Sequence, residues 1–134
     1  MTILEFLIPH RPLSLQTRNR NDLRGWKQLV AREAAALWGS RPPIRSGDLR
    51  LTIVYLSDEY PPDTDNIIKP IQDALEGVVI VDDILVSDVQ SHRRIYWQTS
   101  KTKRLPALLR SGLLIGAECV YVRLSYTRPL EDLL

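Results

Sequence analysis

The sequence predicts an α+β fold: a single mixed β-sheet of four to five strands packed against two principal helices. Two kinds of pattern carry that expectation. Four stretches, 2–8, 48–57, 89–100 and 118–127, are apolar or alternate with a period near two. Two others, following Asn21 and Asn66, carry apolar residues at helical spacing. At 134 residues the chain has the length of one domain, expected to span 1–134.

The elements follow in order. TILEFLI (2–8) is a first strand ended by Pro9, and RPLSLQTRNR (11–20) is a loop with three arginines, Arg11, Arg18 and Arg20. The first helix is capped near Asn21, stripes Leu23, Trp26, Val30 and Leu37 on one face, and stops at Gly39. DLRLTIVYLS (48–57) alternates, with Leu49, Leu51, Ile53 and Tyr55 on one face. After the loop DEYPPDTD, the second helix carries the apolar stripe Ile67, Ile71, Leu75 and Val78, runs to about Glu76 and closes at Gly77. Pro70 lacks the amide proton that a helix interior needs, so this helix starts late or kinks.

VVIV (78–81) has the look of a short buried strand ending at Asp82, and VQSHRRIYWQTS (89–100) of a basic strand carrying Arg93 and Arg94. The stretch 101–116 is ambiguous: Pro106 can open a short helix that Gly112 weakens. ECVYVRLSYT (118–127) is the last strand, with Cys119 as a small core residue, and the terminal EDLL is expected to fray. A lone cysteine excludes an intrachain disulfide and a thiolate zinc site. No apolar run reaches the roughly 20 residues of a membrane helix, and MTILEFLIPH has no basic segment of the signal-peptide kind, so the chain is expected to be intracellular.

The net charge of +2 conceals a segregation. Residues 58–88 hold nine acids and one base, Lys69, for a balance of −8; the remainder carries +10, and 14 of the 18 bases are arginine. Arginine forks suit phosphate. An acidic centre in a basic surround is what an enzyme acting on a polyanion needs: the bases hold the polymer, and the acids recruit a cation.

The acids crowd into DTDNIIKPIQDALEG (63–77) and the VDD that follows. Two carboxylates about 4 Å apart repel by roughly 4 kcal/mol at an effective dielectric near 20. They must stand apart in solvent or share a positive partner. Asp63 and Asp65 lie in the loop entering the helix, on one side if that loop is extended, and Asp82 and Asp83 lie after the next strand. Carboxylate oxygens without thiolates suit Mg²⁺ or Mn²⁺. Each residue also has a simpler job: an aspartate caps the helix, Lys69 and Asp73 form an i, i+4 pair, and Asp82-Asp83 makes a turn. A cap, however, needs one acid and not four. His10 and His92 show no ligand spacing.

The stretch PPDTDNIIKPIQDALEGVVIVDDILVSD resembles the signature of the RusA-like Holliday junction resolvases: D-x-D-N, a lysine three residues on, D-A-L, a glycine, an aspartate pair and a valine. Here these are Asp63, Asp65, Asn66, Lys69, Asp73-Ala74-Leu75, Gly77, Asp82-Asp83 and Val86. The resemblance implies a RusA-like fold and a small homodimeric, Mg²⁺-dependent endodeoxyribonuclease of bacteria or their phages (with Mn²⁺ as the other candidate ion), acting on four-way junctions in recombination and repair. It implies that Asp63, Asp65 and Asp83 bind metal, that Asp82 is secondary, and that Lys69 completes the catalytic set. Arg11, Arg18, Arg20, Lys69, Arg93 and Arg94 are the candidate DNA contacts. Alternative readings are a nuclease for other branched DNA, a DNA-binding module without catalysis, and a hydrolase of small phosphate esters.

Overall fold

The computed structural model describes residues 1–59 and 64–134. Its sheet has four strands in the order β1-β4-β2-β3, formed by β1 (Thr2–Ile8), β2 (Leu49–Ser57), β3 (Val86–Ile95) and β4 (Cys119–Tyr126). β4 pairs antiparallel with both β1 and β2, while β2 and β3 run parallel. A parallel pair requires a crossover, and the helix α2 (Ile68–Leu75) supplies it. The remaining helices are α1 (Arg20–Trp38), α3 (Ala107–Ile115) and the single turn α4 (Leu130–Leu133). The EDLL tail is therefore helical rather than frayed, with Leu134 N–H on the Leu130 carbonyl.

Alternation divides β2 between two layers. Leu49, Leu51, Ile53 and Tyr55 are fully buried beneath α1 and α2, where they meet Trp26, Val30, Ile67, Ile71 and Leu75. The opposite side holds Leu56, Tyr121, Cys119 and Leu109, the last from α3. Cys119 is the core residue expected, and burial pushes its thiol up to about 11. Gly112 allows α3 to lie close: a Cβ there would stand 3.2 Å from both Cys119 Sγ and a Leu7 methyl. In this helix glycine serves packing, and that outweighs its poor propensity.

Several boundaries differ from the sequence expectation. Asn19, not Asn21, caps α1, its Oδ1 accepting from the amides of Asn21 and Asp22 at 3.0 and 3.1 Å. Leu37 is 54% exposed because Ala34 and Trp38, four apart, continue the buried stripe instead. Trp38 also carries Arg41 stacked 3.9 Å above its ring, which shields that end of the helix. Pro70 falls in the first turn of α2, where an amide has no intrahelical partner to lose.

VVIV is not a strand of the sheet. Gly77 adopts φ +80°, and the amides of Val78, Val79 and Ile80 all fold back onto the Leu75 carbonyl. Two isolated bridges remain, one from Ile80 to Glu76 and one to Ile44, the latter through Ile44 N to Val79 O at 2.8 Å and Val81 N to Ile44 O at 3.0 Å. Four apolar residues in a row report burial but not conformation. β3 starts earlier than expected, at Val86, and ends at Ile95. It is an edge strand, so its outer residues stay polar and blur the alternation. Beyond it Tyr96–Gln98 tighten into a 3-10 turn, clamped where Trp97 Nε1 donates to the Asp58 carbonyl at 3.1 Å.

Candidate active site

The apolar stripe of α2 points Ile71 and Leu75 into the core, which turns Lys69, Asp73 and the flanking Glu76 outward along one face. After the Gly77 turn the chain returns past α2, held by the buried Val79 and Ile80. It then enters a 3-10 turn, Asp83–Leu85, capped by Asp82, whose Oδ1 accepts from Ile84 N at 2.9 Å. This return brings Asp83 to Lys69: Nζ donates to Oδ2 at 2.5 Å across 14 residues of sequence. The same ammonium lies 2.9 Å from Asp73 Oδ1, and Asp73 Oδ2 accepts from Lys27 of α1 at 3.1 Å. A continuous line of opposite charges thus runs Lys27–Asp73–Lys69–Asp83.

Glu76 fixes the other side of Asp83. Its Oε1 accepts from the Asp83 amide at 2.7 Å. Carboxylate oxygens of Glu76, Asp82 and Asp83 lie within 4.8 Å of one another, the group of acids among the described residues close enough to share an ion. Hydrogen bonds from Lys69 hold the Asp83 carboxyl below the usual carboxylate range. The Lys69 ammonium is shifted upward by its bonds to Asp83 and then Asp73. At Asp73 burial pushes upward, but the hydrogen bonds from Lys69 and Lys27 prevail and leave it lowered. All three groups are therefore charged near neutral pH.

The remaining sequence candidates are placed as follows. Asp63 lies outside the described residues. Asp65 is exposed in a turn over 64–67 rather than in an extended segment, its carbonyl taking the Ile68 amide at 3.4 Å. It is not a member of the Glu76–Asp82–Asp83 group. That turn is anchored on both sides: Ser91 Oγ of β3 donates to the Thr64 carbonyl at 2.7 Å, and Leu15 N to the Asn66 carbonyl at 2.9 Å. In the sequence Glu76 reads as one more solvated helix position, and the structure adds it to the site. Its place seven residues beyond Lys69, on the same face, was the available signal.

Among the candidate DNA contacts, Arg18 and Arg20 are exposed at the start of α1, and Arg11 stands 3.9 Å from Glu118. Arg93 and Arg94 are neighbours on β3 and so project to opposite faces of the sheet. His10 packs on Trp26 with centroids 5.7 Å apart, and neither histidine joins the acidic group.

An acidic cluster at the end of a crossover helix and in the turn beyond it, bound by a lysine from that helix, suits a hydrolase acting on a polyanion. The family model for the endodeoxyribonuclease RusA matches residues 10–103, well over half of the chain. The chain belongs to the RusA endodeoxyribonuclease family, the metal-dependent hydrolases that resolve Holliday junctions in recombination and repair. Among curated proteins none matches it. Among the described residues no helix is long and apolar enough to cross a membrane.

Proposed function

We propose that the chain, as one domain over 1–134, is a Mg²⁺-dependent homodimeric resolvase that cuts four-way junctions with Asp63, Asp65, Lys69 and Asp83. The observation that carries this reading is the Lys69–Asp83 contact at 2.5 Å, which joins the lysine of the motif to the second acid of its aspartate pair. The donor chemistry fits the ion: clustered carboxylate oxygens without sulfur or imidazole favour a hard cation, with Mn²⁺ the acceptable substitute. By the motif, Asp63, Asp65 and Asp83 would hold it; Asp83 is the one of these three in the Glu76–Asp82–Asp83 group, and Asp82, occupied in capping its turn, would assist. A bound ion would neutralise the phosphate and make a water a better nucleophile.

The protein's own part is positioning and charge. Asp83 is ionised and oriented from two sides, by Lys69 at its carboxylate and by Glu76 at its amide. Lys69, nearly half exposed, can transfer one of its donors to a phosphate oxygen as negative charge grows there. Arg18 and Arg20 with Arg93 and Arg94 present cations to the DNA backbone. Resolution takes two opposed nicks, and two-fold symmetry supplies two identical sites.

The test is cleavage of a four-way junction beside linear duplex, with and without Mg²⁺, by the parent chain and Asp83→Asn. Junction cutting that needs Mg²⁺ and falls by about a hundredfold or more in the variant is expected. Junction binding should persist, since one negative charge facing phosphate has gone. Loss of binding together with cutting would make Asp83 a structural residue. Sedimentation at micromolar concentration should report a dimer.

A further inference from the structure

The side of the sheet away from α1 and α2 carries a cleft that the acidic site does not use. Its floor follows from the strand register. Thr52 of β2 pairs with Arg123 of β4 on one side and Gln90 of β3 on the other; two residues along, Val54 pairs with Tyr121 and His92. Successive rows on this face therefore pass from polar to apolar. α3 closes the apolar end with Leu109 and Leu113, leaving a cavity of about 350 Å³, within the range of small-molecule sites.

Its lining is electrically one-sided. His92, Arg94, Lys101 and Arg123 contribute, and among the described residues no acidic side chain does. Glu5 stands behind the lining, its carboxylate accepting from the Tyr121 hydroxyl at 2.6 Å, so the bases His92, Arg94 and Lys101 toward β3 are the ones that attract an anion. The polar end is also incomplete: Thr52 Oγ1 and Arg123 Nε are buried without a hydrogen-bond partner. Buried polar atoms are mostly paired; of the six exceptions among the described residues, these two are cross-strand neighbours that line one cavity, where the polar edge of a ligand can reach both. The leucine wall at the other end suits a flat apolar body.

We propose that this cleft binds a nucleoside monophosphate unit, its phosphate on the Arg94–Lys101 rim and its base between the leucines and the Thr52–Arg123 row. The choice of a nucleotide rests on the nuclease reading, whereas the cleft's demand for an amphiphilic anion does not. A free nucleotide and an unstacked residue of a bound strand share this chemistry. Either would lie across the edge strand β3 from the acids, with Arg93 and Arg94 marking its two sides.

The probe is thymidine 5′-monophosphate, titrated calorimetrically into the full chain without metal, beside thymidine and inorganic phosphate. The monophosphate should bind about tenfold or more tightly than either fragment, because only it satisfies both ends. Thr52→Val keeps the shape and removes the hydroxyl, and should weaken binding about fivefold. Lys101→Glu, at an exposed position where folding is not at stake, should abolish it. A junction with 2-aminopurine at the branch separates the two sources. A fluorescence rise with the parent chain and none with Lys101→Glu identifies a strand residue, and binding of the monophosphate without that rise identifies a free nucleotide. Absence of saturation at millimolar monophosphate, phosphate alone binding as tightly, or affinity unchanged in both variants would overturn the site. No cutting is involved, so a chain that cleaves junctions and ignores the monophosphate would refute the cleft alone.

Discussion

The two faces of the sheet are built on different principles. Beneath α1 and α2, the residues of β2 are Leu49, Leu51, Ile53 and Tyr55, all sealed from water. On the other face the intervening positions are Arg50, Thr52, Val54 and Leu56, and the short α3, with Tyr96 and Leu105, covers part of them. Over the first face, α1 and α2 lie close enough for a charged line at contact distances from Lys27 to Asp83. The second leaves space beside its polar atoms, among them Thr52 Oγ1 and Arg123 Nε. A sheet sealed on one side can place chemistry at its rim, and its unsealed side remains available for binding.

The largest effect that would sharpen this contrast is at Lys69. If the sealed face exists to position it, Lys69→Ala should slow single-turnover junction cleavage by about a hundredfold or more. The thermal melt should barely move, since an exposed ion pair contributes little. Cutting at the parent's rate would reduce Lys69 to a helix pair with Asp73. Next comes Glu76. Glu76→Gln retains an acceptor for the Asp83 amide and should cut far better than Glu76→Ala. Equal loss in both would show that its charge, rather than its hydrogen bond, matters.

On the other face the expected effect is on stability. Gly112→Val would drive two methyls toward Cys119 and Leu7, which stand 3.2 Å from where a Cβ would sit, and should cost about 1–3 kcal/mol by denaturant melt. A neutral result would mean that α3 rests loosely on the sheet. The smallest effect is Lys27→Ala, expected at a few tenths of a kcal/mol, with a modest fall in cleavage as Asp73 turns fully to Lys69.

The acids also set the sign of a pH dependence. Asp73 and Asp83 are both lowered, so what their pairs contribute is present above the ordinary aspartate value of about 3.9 and is lost as pH falls through the folded values. Between about pH 4 and 2, the melting temperature of the parent should therefore fall more steeply than that of Asp73→Asn.

Period and chemistry determined much of this protein without tertiary information. The apolar stripes of α1 and α2, the alternation in β2, the glycine stops at 39 and 77 and the D-x-D-N…K…DD order are local, and local patterns survive in a string of letters. Only the tertiary structure decided which residues meet. VVIV became a turn because the Leu75 carbonyl gathers three amides there, a bond pattern that apolar letters do not encode. Glu76 became a neighbour of Asp83 because the Gly77 turn carries the chain back along α2. Arg93 and Arg94, adjacent in sequence, were sent to opposite faces by the pleat of an edge strand whose place beside β2 depends on a crossover. The cleft was invisible for the same reason: its floor is assembled from three strands and its wall from a helix distant in sequence. Pairing across such separations is set by burial of the whole sheet, not by any one segment's preference.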